Sequence, residues 1–258
     1  TLATDSRLVK KGDIFLAYPG EKTDGRKFIN NAITSGASAI IWDKDNFVWD
    51  DQYQIPNIAI SNLKMAVGEI ASSVYGYPSQ KLWMVGITGT NGKTSCSHWI
   101  SDCLTRLGKK TVAIGTLGSG FPGSLTEGSN TTPDALILQR DLAYYAVQGA
   151  QAAVMEVSSI GIEQGRINGT HFNIALFTNL TRDHLDYHGT IEAYGNAKAK
   201  LFDWTGLEYA IINIDDEFGI KLFNERRGAQ TIGYGFNAIE SYDKKYLWGR
   251  DLVLSEDG

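Results

Sequence analysis

Leu82-Trp83-Met84-Val85-Gly86-Ile87-Thr88 runs without a break into Gly89-Thr90-Asn91-Gly92-Lys93-Thr94-Ser95. The first seven residues have the length and apolar character of a buried strand, and a helical period follows over Lys93–Leu107. The glycines between them permit a turn whose backbone N–H groups curl around phosphate oxygens. The helix N-terminus adds partial positive charge, Lys93 reaches the β/γ-phosphates and the Thr94 hydroxyl suits Mg²⁺. The spacing is Gly86-x2-Gly89-x2-Gly92-Lys93-Thr94; Ile87 stands where the common phosphate loop has its first glycine. The bland alternative is a glycine-rich turn with an incidental Lys-Thr pair, which the strand before and the helix after disfavour. A dinucleotide fingerprint fails, since strand Thr111–Gly115 runs into Thr116-Leu117 with no closing acid.

Outward from this loop, strands and helices alternate. Downstream the pattern reads as strand Thr111–Gly115, helix Asp134–Gln148, strand Ala152–Val157, strand Phe172–Leu180, helix Ile191–Phe202, strand Tyr209–Ile214, helix Asp216–Asn224 and strand Gln230–Tyr234. Upstream it reads as strand Asp13–Tyr18, helix Phe28–Gly36, strands Ala37–Trp42 and Ile55–Ser61, and helix Leu63–Tyr77. The class is α/β, with a doubly wound parallel sheet after the loop. Pro78-Ser79-Gln80-Lys81 interrupts the period, which sets expected domains at 1–81 and 82–258. Leu247–Gly258 reads as the first arm of a hairpin ending in Asp257-Gly258, so the natural protein is expected to continue.

The composition excludes several classes. With 258 residues, 43% hydrophobic and 21% charged, the chain is neither disordered nor a disulfide-stapled miniprotein. A net charge of -5 without a basic block argues against a nucleic-acid surface. No apolar run approaches the ~18 residues of a membrane helix, and charges throughout residues 1–16 leave no signal-peptide core. Cys96 and Cys103 fall on one helix roughly 10 Å apart, beyond disulfide reach, so free thiols and a cytoplasmic setting are expected. Thr1 in place of an initiator Met reads as a trimmed start.

Glu156 ends the strand Ala152–Val157, at the edge where open α/β sheets place ligands. It is a metal ligand or a capping carboxylate. His184 and His188 stand four apart, but Leu185 replaces the Glu of a zinc helix and Gly189 marks a loop. His184 therefore reads as a Mg²⁺ ligand or substrate contact, or as a hydrogen-bonded loop histidine. In the helix Ile191–Phe202, Lys198 falls on the apolar stripe of Ile191, Tyr194, Leu201 and Phe202, while Lys200 lies about 200° from it. An inward amine has a lowered pKa and can take up CO₂; a rim lysine with its head in water is the alternative. Thr132 before Pro133 reads as a helix cap or a ligand contact, and Arg166 as a surface charge or an anion clamp.

Taken together, Gly89–Thr94, Asn130-Thr131-Thr132-Pro133, Met155-Glu156-Val157-Ser158-Ser159, Thr178–Gly189 and Ala197-Lys198-Ala199-Lys200-Leu201-Phe202 resemble the Mur ligases of peptidoglycan synthesis. Within that family the likeness is to the branch that adds the third residue. Asp5-Ser6-Arg7, Gly12-Asp13 and Asp24-Gly25-Arg26 resemble its N-terminal uridine-nucleotide domain.

The resemblance implies ligation of an amino acid to UDP-MurNAc-L-Ala-D-Glu. ATP and Mg²⁺ would take part, and the D-Glu carboxylate would be activated as an acyl phosphate that the incoming amine displaces. It implies that Gly89, Thr90, Asn91, Gly92, Lys93, Thr94 and Ser95 hold ATP. Thr94, Glu156, His184 and Lys198 as a carbamate would hold metal, and Lys93, Glu156, His184 and Lys198 would serve catalysis. Ser6, Glu21, Lys22, Thr23, Asn130, Thr131, Thr132, Ser158, Gln164 and Arg166 would meet the UDP-sugar dipeptide. By the resemblance, these residues are expected to stop short of the family's C-terminal domain, which leaves the incoming residue as meso-diaminopimelate by general likeness or L-lysine, and these residues alone are expected to be inactive. A monomer that binds neither nucleic acid nor membrane is expected. The rivals are a folylpolyglutamate-type ligase, which leaves the segment before residue 82 unexplained, a switch ATPase and a non-catalytic nucleotide-binding module.

Overall fold

The computed structural model describes the chain except for Lys22, Ser129, Arg226, Arg227, residues 237–244 and residues 250–258. Two compact units are present. Thr1–Pro78, Asp134–Ala143 and Gln164–Thr170 form the first; Ser79–Pro133, Tyr144–Glu163 and His171–Gly258 form the second. The division is not a single cut of the chain.

In the first unit, β1 (Leu2–Ala3), β2 (Ile14–Ala17), α1 (Ile29–Thr34), β3 (Ala39–Asp43), β4 (Asn57–Ile60) and α2 (Leu63–Val74) follow in order. The strands make one parallel sheet in the order β1-β2-β3-β4. Successive strand residues face opposite sides. Phe15 and Ala17 therefore pack with Ile29, Ile40 and Trp42, and Leu16 packs with Leu63, Val67 and Ala71. Burial of a side chain such as Phe15 contributes roughly 1.5–3 kcal/mol. Ala135 and Leu136 join the second cluster. Gln164–Thr170 is held by Asn168, whose Nδ2 donates to Met65 O at 2.9 Å and whose carbonyl would lie 2.0 Å from any Cβ at Gly68. The Arg26 guanidinium is buried. It donates to Asp24, Asp43 O and Asp45 O and lies 4.8 Å from the Phe47 ring centre. Trp42 stacks on Trp49 at 5.3 Å.

The second unit begins with β5 (Trp83–Thr88), α3 (Lys93–Arg106), β6 (Thr111–Gly115), β7 (Gly118–Phe121) and β8 (Ser124–Thr126). Then come α4 (Ala135–Val147), which starts among residues of the first unit, β9 (Ala152–Glu156), α5 (Ser159–Glu163), β10 (Ile174–Phe177), α6 (Leu185–His188) and α7 (Ile191–Ala199). β11 (Tyr209–Asn213), α8 (Glu217–Glu225), β12 (Gln230–Gly235) and β13 (Lys245–Trp248) complete it. The sheet order is β13-β12-β11-β10-β5-β9-β6-β7-β8, parallel except at β6-β7 and β7-β8. β5 lies between β10 and β9, so the loop after it opens at the switch point of the strand order. On α3, Cys96, Ile100 and Leu104 pack over Val85, Ile87, Val154 and Leu176.

The α/β class and the parallel sheet match the sequence reading. The antiparallel β7-β8 hairpin was not anticipated, and Leu185–His188 is a one-turn helix rather than a loop. Gly189, at φ +78°, stops that helix after four residues. The hairpin arm expected over Leu247–Gly258 lies outside the described residues from Arg250 onward; before it, β13 runs parallel to β12. Among the described residues no helix is long and apolar enough to cross a membrane.

Candidate active site

The turn from β5 to α3 depends on glycine. Gly89 has φ +148° and Gly92 φ +82°, and a Cβ at Gly89 would sit 1.9 Å from Thr178 Oγ1. Thr90 N donates to Asn179 O at 2.8 Å and Asn91 N to Asn179 Oδ1 at 3.0 Å. The next four amides, those of Gly92, Lys93, Thr94 and Ser95, have no partner among the described residues. They open a 14-residue helix, whose dipole adds positive potential. Unpartnered donors at a helix N-terminus, on a turn that needs glycine at positive φ, fit a polyphosphate. Lys93 is folded back onto it, its Nζ donating to Gly89 O at 2.9 Å and Thr90 O at 2.8 Å. Burial holds its pKa below the usual lysine range.

Glu156 closes β9 and is 1% exposed. Its Oε2 accepts from Thr94 Oγ1 at 2.9 Å and Thr116 Oγ1 at 3.2 Å, and its Oε1 from Thr116 N at 2.9 Å. Thr116 Oγ1 and Thr131 Oγ1 lie 3.0 Å apart. Gly115 makes room for the carboxylate, because a Cβ there would be 2.1 Å from Oε1. Among the described residues no group of three or more His, Cys, Asp or Glu is arranged to hold a metal ion by itself. The donors are instead one carboxylate and neighbouring hydroxyls beside the anion cradle. That set fits Mg²⁺, which keeps several waters and takes its other ligands from substrate phosphates.

Thr132 is not the cap of α4. Its hydroxyl bridges Glu156 O at 3.0 Å and Ser158 Oγ at 3.1 Å, while Asp134 Oδ1 accepts from Leu136 N at the helix start. Pro133 forces the chain to turn before the helix, so the cap falls one residue beyond it.

Lys198 faces inward at 1% exposure, its Nζ donating to Gly89 O at 2.9 Å and standing 4.1 Å from the Tyr194 ring centre. Burial, and then the Lys93 charge, push its pKa down to about 7, with Asp183 opposing. Lys200 points out to Glu163 at 2.5 Å. His184, in a left-handed conformation at φ 50°, contacts Asp183 and the edge of Tyr194. No hydrogen bond or ion pair joins it to Glu156 or Thr94. His188 Nε2 and Ser159 Oγ are 2.9 Å apart. The loop, Glu156 and Lys198 thus converge, whereas His184 borders the group through Tyr194.

In the first unit, Ser6 lines a cavity of about 600 Å³ with Phe15, Phe28 and Asn31. Glu21, Thr23, Gln164 and Arg166 line one of about 330 Å³ with Lys64 and Asp134. Tyr18, Gly20 and Thr23 border both. Gln164 bonds to Glu21 and accepts from Arg166 Nε at 2.9 Å. Lys22 lies outside the described residues, and Asn130 is exposed.

Sequence reasoning passed over Thr116, Thr178, Asn179, Thr181 and Tyr194 as site residues. Tyr194 was signalled by its four-residue spacing from Lys198; the others depend on long-range packing that no local pattern records.

The description "Mur ligase middle domain" matches residues 87–258, and "Mur ligase family, catalytic domain" matches residues 1–75. The UDP-N-acetylmuramoyl-L-alanyl-D-glutamate--2,6-diaminopimelate ligase of Nitrosomonas europaea is 50% identical over 261 residues, covering 98% of this chain and 50% of that protein. The Chromobacterium violaceum protein of the same name is 55% identical over 219 residues, covering 84% and 44%. A solved structure bearing that name superposes with a TM-score of 0.78 at 35% identity, over 93% of this chain and 49% of its own. The chain spans about half the length of the relatives it matches.

Proposed function

The chain belongs to the Mur ligase family, and from that membership we propose that it forms the nucleotide-sugar and ATP-binding parts of a ligase that joins meso-diaminopimelate to UDP-MurNAc-L-Ala-D-Glu. Residues 1–81 take the UDP-sugar and residues 82–258 take ATP, in a monomer working in the cytoplasm. The diaminopimelate preference follows the names of the relatives at 50% and 55% identity. The match over residues 1–75 covers the segment that a folate-ligating reading leaves unexplained.

The observation that carries the proposal is the hydrogen bond from Thr94 to buried Glu156 beside four unpartnered amides. The amides of Gly92–Ser95 bind the β- and γ-phosphates, and Lys93 leaves its carbonyl partners to neutralise the γ-phosphate. Thr94 and Glu156, with His184 and a carbamylated Lys198, are the residues that would hold Mg²⁺. The ion supplies charge neutralisation on the transferring phosphoryl group when bound. Ser6, Glu21, Lys22 and Thr23 hold the UDP-sugar. In the second unit Asn130, Thr131, Thr132 and Ser158 take the dipeptide, whose D-Glu carboxylate is the group phosphorylated; in the first unit Gln164 and Arg166 take it.

Titration calorimetry of Mg·ATP into the chain tests this. Binding is expected, and Lys93→Ala should abolish it; equal affinity in the variant would overturn the assignment. Retention on immobilised UDP-MurNAc-dipeptide, against a pteroyl-glutamate matrix, separates the muramoyl from the folate reading.

A further inference from the structure

The phosphate loop does not hold its own shape. Thr178–Thr181, which leaves the C-terminal end of β10 between 87 and 91 residues further along the chain, meets Thr90 and Asn91 of the loop bond for bond. Asn179 presents Oδ1 to Asn91 N at 3.0 Å and donates from Nδ2 to Asn91 O at 3.2 Å, as a neighbouring strand residue would. Its carbonyl takes Thr90 N at 2.8 Å. Thr178 Oγ1 adds a second donor to Asn91 O at 2.7 Å. The Thr90 hydroxyl accepts from Thr181 N at 2.9 Å and donates to Thr181 O at 3.2 Å. The segment is itself anchored from the end of β11 and from the residue before α8, by Asn213 Nδ2 donating to Thr178 O at 2.7 Å and Asp216 Oδ2 accepting from Leu180 N at 2.9 Å.

We propose that Thr178–Thr181 is a strap that sets the conformation of the phosphate loop, with Thr178 and Asn179 as its positioning residues. This rests on the reading of the loop as a nucleotide site. The strap takes up two loop amides, those of Thr90 and Asn91, and so divides the loop. Residues 89–91 face the protein, and the amides of 92–95 are left for the anion. It also pins the Asn91 carbonyl between two donors. A carbonyl free to turn toward the cradle would present its negative end to the phosphates, at a cost in the affinity for them.

Thr178→Val is isosteric and uncharged and removes the hydroxyl that donates to Asn91 O at 2.7 Å and lies 3.4 Å from Thr88 O; Thr178→Ser restores it. Asn179→Asp keeps the acceptor for Asn91 N and deletes the donor to Asn91 O. Two readouts are taken on the whole chain: amide hydrogen exchange of residues 89–91 without ligand, and calorimetric affinity for Mg·ATP. Thr178→Val and Asn179→Asp should exchange faster there and bind about tenfold more weakly, and Thr178→Ser should stay within about twofold of the parent. If the parent binds and Thr178→Val binds as well as it does, the strap is refuted while the nucleotide site stands. If the parent fails to bind Mg·ATP, the nucleotide reading falls and the strap's purpose falls with it.

Discussion

Lys93 and Lys198 direct their side-chain nitrogens at one acceptor, the Gly89 carbonyl oxygen, each at 2.9 Å. Burial disfavours the charged form of Lys198 most, and repulsion from the Lys93 ammonium that shares the oxygen adds to it. The Lys198 pKa falls to about 7, below the ordinary 10.5.

A consequence for stability follows from that fall. Between pH 7 and 10.5 the unfolded chain binds more protons at Lys198 than the folded chain, so this residue makes stability rise with pH across the window. Below pH 7 both states are protonated and the folded state bears the cost of the buried charge. Lys198→Met should therefore melt higher than the parent at pH 6.5, with an advantage that shrinks toward pH 9.5. The full change, reached across the whole window from pH 7 to 10.5, is on the order of 5 kcal/mol. Parallel melting curves at both pH values would remove the argument.

Gly89→Ala should be much worse than Gly108→Ala. Both glycines have positive φ, but a Cβ at Gly108 meets nothing within 4 Å, whereas at Gly89 it meets Thr178 Oγ1. Urea unfolding should show about 1 kcal/mol lost at Gly108 and roughly 3 kcal/mol or more at Gly89.

Arg26→Lys should weaken the first unit. A lysine cannot fork between Asp24 and the carbonyls of Asp43 and Asp45, and it leaves buried acceptors unpaired. A loss of about 2 kcal/mol is expected in denaturant unfolding; an unchanged midpoint would show the fork to be dispensable.

Glu156→Gln should keep the fold and lose the metal dependence of nucleotide binding. The amide oxygen can still accept from Thr116 N, and its NH₂ can donate to the hydroxyls of Thr94 and Thr116, so stability should change by less than about 1 kcal/mol. ATP affinity with Mg²⁺ should drop about tenfold, and affinity with EDTA should not move. A loss that is equal in both conditions would place the metal elsewhere.

The parts of this fold legible in the sequence are those written into neighbouring residues. The strand-turn-helix around Gly89–Lys93 is local chemistry, and the inward face of Lys198 follows from helical spacing alone. The β7-β8 hairpin escaped because Gly118, Gly120 and Gly123 erase the alternation that marks strands. Thr132 misled because a threonine before a proline looks like a cap, while its hydroxyl is spent on Glu156 and Ser158, more than twenty residues away. Thr178, Asn179 and Thr181 meet Thr90 and Asn91 only because β10 pairs beside β5, a juxtaposition that the order of strands along the chain does not reveal.

The stack of Trp42 on Trp49 gives the first unit an optical signature of its own. Indoles this close couple their excited states, so near-ultraviolet circular dichroism should carry a paired band from residues of that unit alone. Its disappearance on heating would time the melting of that unit without a label.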